Sequence, residues 1–495
     1  MSTLDELRRL FVDPTDDLDL TAGPVGKPLL YLSAPIIVTN LLQTAYNLAD
    51  TFWLGQYSTT ALAAISFAFP MVFLLFSLAL GVSVAGSVLV AQHIGADQED
   101  NAEYAASQTV TFSLIASVLL GGIGYVFVDE YLVVLGATDS VIPPATAYMK
   151  TISLGLFAMF GFAVFISLMR GYGDTVTPML VMFGSVVLNI VLDPILIFGF
   201  ADNPLFGHLG LNGVESVARS LTGFTGSGIE GAAIATVFSR LLAFVVGLAI
   251  MFRGERGVEI HLRQMIPDLG YGRQFVDLGV PASVEGTGVA LSTNVLLFIL
   301  AAYPESVVAA YGIGTRVFSV VFLPAIAFSQ GIETMTGQNI GAGKHDRAER
   351  TNHYGARVMA VVLTVLGVVA FFRARSIAAV FTTDTTVIDA TATFMQLTAL
   401  TFGGTGVRRA YLGGFRGAGK TLTAAVITVA VVGIQLPLAW LGSIILGTHG
   451  IWLSFAVANV FGALLAFVWF QHTTRSDSLS EQYEKTTVTE PATDD

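Results

Sequence analysis

Apolar positions in this chain do not alternate with polar ones; they run on. Uninterrupted apolar stretches of about 20 residues or more fall near 28–54, 61–91, 104–128, 143–168, 175–200, 229–253, 276–302, 307–337, 353–372, 386–407, 422–447 and 450–471. Each can cross the roughly 30 Å hydrocarbon layer of a bilayer as a helix. A closed β-barrel, the other architecture that satisfies every backbone group in lipid, would show short alternating segments instead. The pattern predicts an all-α integral membrane protein of twelve transmembrane helices.

Composition agrees with this expectation. The 495 residues are 54% hydrophobic and 12% charged, with mean hydropathy +0.71, where a soluble globular chain carries roughly 25% charged residues. About seventeen of the 24 Lys and Arg fall on the two ends and the even-numbered loops, which by the positive-inside rule predicts cytoplasmic termini in the cell membrane. Residues 1–27 carry no basic-then-apolar leader and read as a cytoplasmic tail. Residues 473–495 are polar, acidic and without an apolar face, so disorder is expected there. A net charge of −12 with few lysines suggests a halophile-like, high-salt cytoplasm. The absence of cysteine excludes disulfides, thiolate metal sites and cysteine nucleophiles. No nucleic acid is expected as a partner, and a monomer in lipid is.

A search for self-similarity reorganises the chain. Gln92-His93-Ile94-Gly95-Ala96 matches Gln338-Asn339-Ile340-Gly341-Ala342 at an offset of about 246 residues. The same offset pairs Pro35 with Pro281, Ala63-Ala64 with Ala309-Ala310, Met149 with Met395, and Arg170-Gly171-x-Gly173 with Arg416-Gly417-x-Gly419. Each copy holds six spans, so both enter the membrane in the same direction. That is a parallel repeat, an architecture of transporters with the substrate path between the halves. The expected domains are bundles at 28–253 and 276–472, with 254–275 as a long cytoplasmic tether that permits rocking.

Two motifs suggest enzymes and fail on context. Gly414-Phe415-Arg416-Gly417-Ala418-Gly419-Lys420-Thr421 satisfies the P-loop spacing, but the strand that must precede it is missing. Gly171-Tyr172-Gly173-Asp174 resembles an intramembrane aspartyl protease signature, but Asp174 sits in a turn and its repeat partner is Lys420. A proteolytic acid needs a second carboxylate facing it inside the membrane. No enzymatic activity and no cofactor are expected.

Carboxylates inside the bilayer are costly and mark function. Asp50 lies in the first span, with Asn47, Tyr46 and Gln43 on the same helical face. Asp193 lies in the fifth, one turn after Asn189 and directly before Pro194. Such hard oxygen ligands suit a proton or Na⁺. In the second copy Leu296, Gln435 and Ala439 occupy the places of Asp50, Asn189 and Asp193, so the ionisable chemistry is expected in the first half. The second half holds Glu285, Glu333 and Arg316, for which a structural ion pair with Arg316 and a transport role are equally open. Pro35, Pro70 and Pro178 are expected to break or kink their helices.

On the repeated Gln-x-Ile-Gly-Ala motif, the Arg170-Gly171-x-Gly173-Asp174 turn and a proline fifteen residues before an intramembrane Asp, the chain resembles the multidrug and toxic compound extrusion (MATE) transporters, in particular their DinF-like archaeal branch. The resemblance covers residues 28–472. It implies two six-helix bundles in a V and export of drug-like organic cations in exchange for H⁺ or Na⁺. It also implies an ion-coupling set of Asp50, Asn189, Asp193 and Thr236, which would ligate the metal if the ion is Na⁺. Gln43, Tyr46 and Tyr148 then line the cavity, with Asn47 beside them, and Pro35 is the hinge of the first helix. Other branches place acids in the seventh and tenth helices; Glu285 stands in the seventh span, and the tenth has no buried acid. The competing function is a flippase for lipid or lipid-linked oligosaccharide in the same superfamily, whose phosphate cargo would call for Arg and Lys along the cavity. The first half offers Arg240 as its one buried base.

Overall fold

Helices begin where the apolar runs begin and mostly extend beyond them. The computed structural model describes residues 19–200 and 203–476, side chains at 78–80 excepted. Most of the N-terminal tail (1–18) and of the C-terminal tail (477–495) lies outside the described residues. The first half comprises α1 (Gly26–Tyr57), α2 (Thr59–Gly95), α3 (Glu99–Val134), the pair α4 (Ile142–Leu154) and α5 (Leu156–Tyr172), α6 (Val176–Phe198), the short α7 (Pro204–Leu209) and α8 (Asn212–Thr222), and α9 (Gly228–Arg253). The second half comprises α10 (Leu269–Leu300), the pair α11 (Glu305–Val321) and α12 (Leu323–Gly341), α13 (His345–Ala378), the pair α14 (Thr385–Ala399) and α15 (Phe402–Gly417), α16 (Thr421–Leu446) and α17 (Thr448–Arg475).

Among the described residues nine helices are each long and apolar enough to cross a membrane, and two bent pairs, α4 with α5 at 52° and α11 with α12 at 43°, add two more spans. The twelfth span is α14 with α15, whose break at Leu400–Thr401 includes the position 246 residues after Gly155, the break in the fourth span. Arg408, Arg409 and Arg416 make this span the least apolar. The repeat thus reproduces the fracture as well as the helices. Pro324 opens α12, where its missing N–H is one of the unpaired donors of a first turn. Pro178 occupies the first turn of α6 for the same reason and breaks nothing. Pro35 and Pro70 lie inside continuous α1 and α2.

Large apolar side chains face outward, as lipid allows and water does not: Val118, Leu119, Val126 and Phe127 on α3, and Phe372 on α13. Inside each lobe the contacts run along small residues. Ser113, Ser117, Gly121 and Gly124 form a buried stripe on α3, and Gly121 and Gly124 meet Ser153 of α4. Close approach along small side chains is how membrane helices gain packing without a hydrophobic drive between them.

The lobes meet through α1 and α2 on one side and α10 and α12 on the other, whereas α4, α11 and α14 pack chiefly within their own lobes. They therefore join at the face bearing the α2–α3 and α12–α13 turns and part toward the opposite one. The joined face is reciprocal. Gln92 Nε2 donates to the Gly417 carbonyl at 3.0 Å, and its repeat partner Gln338 donates to the Gly171 and Tyr172 carbonyls at 3.1 and 2.9 Å. A Cβ on Gly95 would overlap the Gln338 carbonyl oxygen, and one on Gly341 would overlap that of Gln92. Beside this contact the segment before α1 is pinned to the second lobe: Asn339 Nδ2 donates to the Leu20 carbonyl at 3.1 Å and Lys344 Nζ to that of Thr21 at 3.1 Å.

Residues 254–275, expected as a long tether, hold a 3₁₀ turn and the start of α10. Arg253 ends α9 at Gly254 in the left-handed region (φ 63), a short 3₁₀ turn covers Leu262–Met265, and α10 starts at Leu269, capped by the Asp268 carboxylate on Gly270 N. Between them the irregular segment is strapped to α3. Gln108 donates to the Gln264 and Ile266 carbonyls and accepts from Asp268 N, Thr111 donates to Met265 O, and Val258 and Ile260 are buried. The sequence reading weighed the linker's charges and missed these apolar anchors.

Candidate functional site

Three long helices of the first lobe each contribute a polar face to one interior point. On α1, Gln43, Tyr46 and Asp50 follow at helical spacing. On α6, Asn189 and Asp193 lie one turn apart, and Asn189 Nδ2 donates to Asp193 Oδ1 at 3.0 Å. On α9, Thr236 and Arg240 lie one turn apart. Asp50 faces Asp193, Thr236 and Asn189, and Tyr148 of α4 stands in the field of both acids. Asp50 is 5% exposed, Asn189 and Asp193 0%, Thr236 3%. These values decide that the acids are enclosed by the protein and do not face its surroundings.

Asp50, Asn189, Asp193 and Thr236, the residues expected to couple the ion, are thus close together inside the first lobe, with Gln43 and Tyr46 on the Asp50 face of α1 and Tyr148 in the field of the acids. Asn47 is exposed and accepts from Gln43 Nε2 at 3.1 Å. The residue that sequence reasoning left out of the set is Arg240. Its guanidinium lies 4.5 Å from the Tyr46 ring centre and 5.4 Å from that of Phe162, and donates to Gln43 Oε1 at 2.7 Å and Met182 Sδ at 3.0 Å. Its place four residues after Thr236 was the available signal.

Charge counting gives the pocket its chemistry. With both acids ionised and Arg240 charged the net charge is −1, and one proton or one Na⁺ brings it to zero. Asp50 Oδ1, Asn189 Oδ1, Asp193 Oδ2, Thr236 Oγ1 and the Tyr46 hydroxyl are buried without a hydrogen-bond partner in the protein. This is a set of hard oxygen donors that fits either ion.

The second-half charges form a different centre and correct the pairing with Arg316. Arg316 is exposed on α11. Arg416 instead holds both acids: its Nε donates to Glu333 Oε2 at 2.8 Å and its Nη1 to the two Glu285 oxygens at 3.1 and 3.2 Å. Its Nη2 donates to Ser329 Oγ at 3.0 Å. Arg170, the repeat partner of Arg416, approaches Glu333 Oε1 at 3.8 Å from the first lobe. Glu333 therefore lies between two repeat-related arginines, one per lobe, and Ser87 stands at its own place in the first copy. The pairing was hidden in sequence because Arg416 reads as part of a Gly-rich turn.

Comparison with known proteins returns the same fold in two copies. The family model MatE matches residues 35–195 and again residues 281–441, two copies 246 residues apart. A FAD transporter of Shewanella oneidensis is 28% identical over 451 residues, covering 90% of this chain and 95% of that protein. The probable multidrug resistance protein YoeA of Bacillus subtilis is 26% identical over 472 residues, covering 92% and 97%. A solved structure described as the outward-facing conformation of a multidrug resistance MATE family transporter of the MOP superfamily superposes with a TM-score of 0.82 at 23% identity, covering 93% of this chain and 98% of that one.

Proposed function

Because the chain belongs to the MatE family, a family of membrane transporters and not of enzymes, we propose that it is a secondary active antiporter exporting organic cations and amphipathic drugs in exchange for H⁺ or Na⁺. The single observation that carries this reading is the facing pair Asp50 and Asp193, buried in the first lobe with Asn189 and Thr236 and balanced to within one charge by Arg240.

The pocket works by exchange of charge. A bound organic cation is held by the net negative charge of the pocket and by the Tyr46 and Tyr148 rings. Entry of a proton or Na⁺ at the acid pair cancels that charge in a low-dielectric surround, and the drug leaves. Pro35 gives α1 a bending point, since it cannot donate to the Tyr31 carbonyl one turn earlier. The lobes then close the emptied cavity toward the parted face and open the joined one. With both termini cytoplasmic, the parted face is the outward one. The relatives named for multidrug resistance support a drug cargo; the one named a FAD transporter carries an anion on a related chain.

The test is efflux of ethidium or norfloxacin from proteoliposomes under an imposed pH or Na⁺ gradient. Efflux driven by one gradient and abolished in Asp50→Asn and Asp193→Asn is expected. Normal export in both variants overturns the first-lobe coupling site.

A further inference from the structure

Repeat-related lobes make a controlled comparison, because the same fold surrounds different side chains. In the second lobe the acids are gone: Leu296 and Ala439 fill the places of Asp50 and Asp193, and both are buried. The sixth spans match at an offset of 223, Leu241-Leu242-Ala243-Phe244 against Leu464-Leu465-Ala466-Phe467. Thr236 then meets Asn459, Ser239 meets Gly462 and Arg240 meets Ala463. A guanidinium nonetheless returns to the slot between the fourth and sixth spans. Arg408 stands 246 residues after Phe162, whose ring lies under Arg240 in the first lobe. Its stem crosses Gly462, where an added Cβ would come within 2.7 Å of Arg408 Cδ. The second lobe supplies from its fourth span the charge that the first supplies from its sixth.

The surroundings of the two guanidinium groups differ. Arg240 is met by Gln43, Met182, two aromatic rings and the field of Asp50. Arg408 and its neighbour Arg409 each keep a buried Nε with no hydrogen-bond partner. Among the described residues neither has a carboxylate within 4.0 Å. The acid that influences both is Glu285, and its two oxygens are already taken by Arg416. Arg409 and Arg416 are seven residues apart on α15 and share a face, and Arg408 and Arg409 are half-buried, so neither is sealed from a ligand. Around this point Arg170, Arg408, Arg409 and Arg416 stand against Glu285 and Glu333, an excess of two positive charges inside a membrane bundle. Uncompensated cations there are costly and mark ligand paths. A guanidinium fork is shaped to take two oxygens of one anion.

We propose that Arg408 and Arg409 form an oxyanion-binding site in the second lobe that receives the phosphate or carboxylate of an amphipathic aromatic ligand. Cation chemistry in the first lobe and anion chemistry in the second then give the two lobes opposite polarity. The site is defined by equilibrium binding without any gradient, so it stands or falls apart from the coupling site.

The test compares flavin mononucleotide with riboflavin, the same ring system with and without a phosphate, by fluorescence titration of the purified full chain. Flavin mononucleotide is expected to bind about tenfold or more tightly than riboflavin, the gain from a charge-assisted bidentate contact. Arg408→Gln and Arg409→Gln are expected to bring it down to the riboflavin level, with unfolding temperature checked for each, and Arg409→Lys to retain part of the gain. Equal affinities for the two flavins, or a preference that survives in both Gln variants, overturns the proposal. So does a failure of flavin mononucleotide to bind together with no rise in unfolding temperature on adding pyrophosphate. Repeating the titration in nanodiscs with and without phosphatidic acid names the source. Competition that is lost in Arg409→Gln assigns the site to lipid headgroups, and unchanged affinity assigns it to a soluble anion. Loss of ethidium efflux in Asp50→Asn reports on the first lobe alone.

Discussion

At the scale of single residues, the two charged centres are expected to fail in different ways. Asp50→Asn and Asp193→Asn fit their sites as neutral amides, so coupled efflux is expected to fall to background with unfolding temperature nearly unchanged. Arg240→Gln takes the pocket from −1 to −2, and the ion is held more tightly. The Na⁺ or proton concentration that half-suppresses drug binding should fall by about tenfold, the equivalent of roughly 1.4 kcal/mol. A rise instead would mean that Arg240 positions Gln43 and does not set the charge. Glu333→Gln leaves Arg416 and Arg170 with one acid between them, and removing one partner of a buried pair costs about 3–5 kcal/mol. Its loss should therefore appear in the unfolding temperature, with Glu285→Gln milder in efflux than either Asp variant. The burial of Asp50 and Asp193 was legible because an acid in an apolar run has no bland place to go, and that of Asn189 because it stands one turn before Asp193. Glu333 and Arg416 were less so, because they come from spans 83 residues apart and one of them sits among glycines that mimic a phosphate loop.

Whole elements were legible where hydrophobicity speaks and obscure where packing does. The twelve apolar runs return as helices, and their order as two copies follows from the 246-residue offset alone. The fractures at Gly155, Phe322 and Leu400–Thr401 were not foreseen, since a break within an apolar run leaves its hydropathy intact. Pro178 was misjudged for a related reason: a proline costs nothing in a first turn. The strap on α3 was missed because its bonds run from Gln108 and Thr111 to backbone carbonyls that carry no sequence signal. At the crossing of α2 and α12, Gly95 is the tightest point of α2, and Gly95→Val is expected to hold the joined face apart. The chain has no cysteine, so spin labels at Asp100→Cys and Asp346→Cys report that distance directly. A longer mean distance with at least a tenfold loss of efflux is expected; an unchanged distance would remove the glycine contact from the closing step.

For the molecule as a whole, the proposed sharing of one site by ion and drug makes linkage reciprocal. If an ion weakens drug binding by a factor of about 5–150, as couplings of 1–3 kcal/mol do, the drug must weaken ion binding by the same factor. Drug affinity measured from acid to neutral pH, with and without Na⁺, should show this dependence in the unaltered protein and lose it in Asp50→Asn/Asp193→Asn. Affinity indifferent to both ions would end direct competition. The joined face also carries a history. Gln92 reaches the turn at Gly417 while Gln338 reaches the turn at Gly171, and Gly95 lies on Gln338 while Gly341 lies on Gln92. Contacts in which each half gives what it receives are those of an isologous two-fold dimer. The seam between the lobes is the one that a half-length ancestor would have made with a second copy of itself. Fusion then freed each copy to diverge, and Glu333 opposite Ser87, with Leu296 opposite Asp50, records how two identical subunits became two unlike ones.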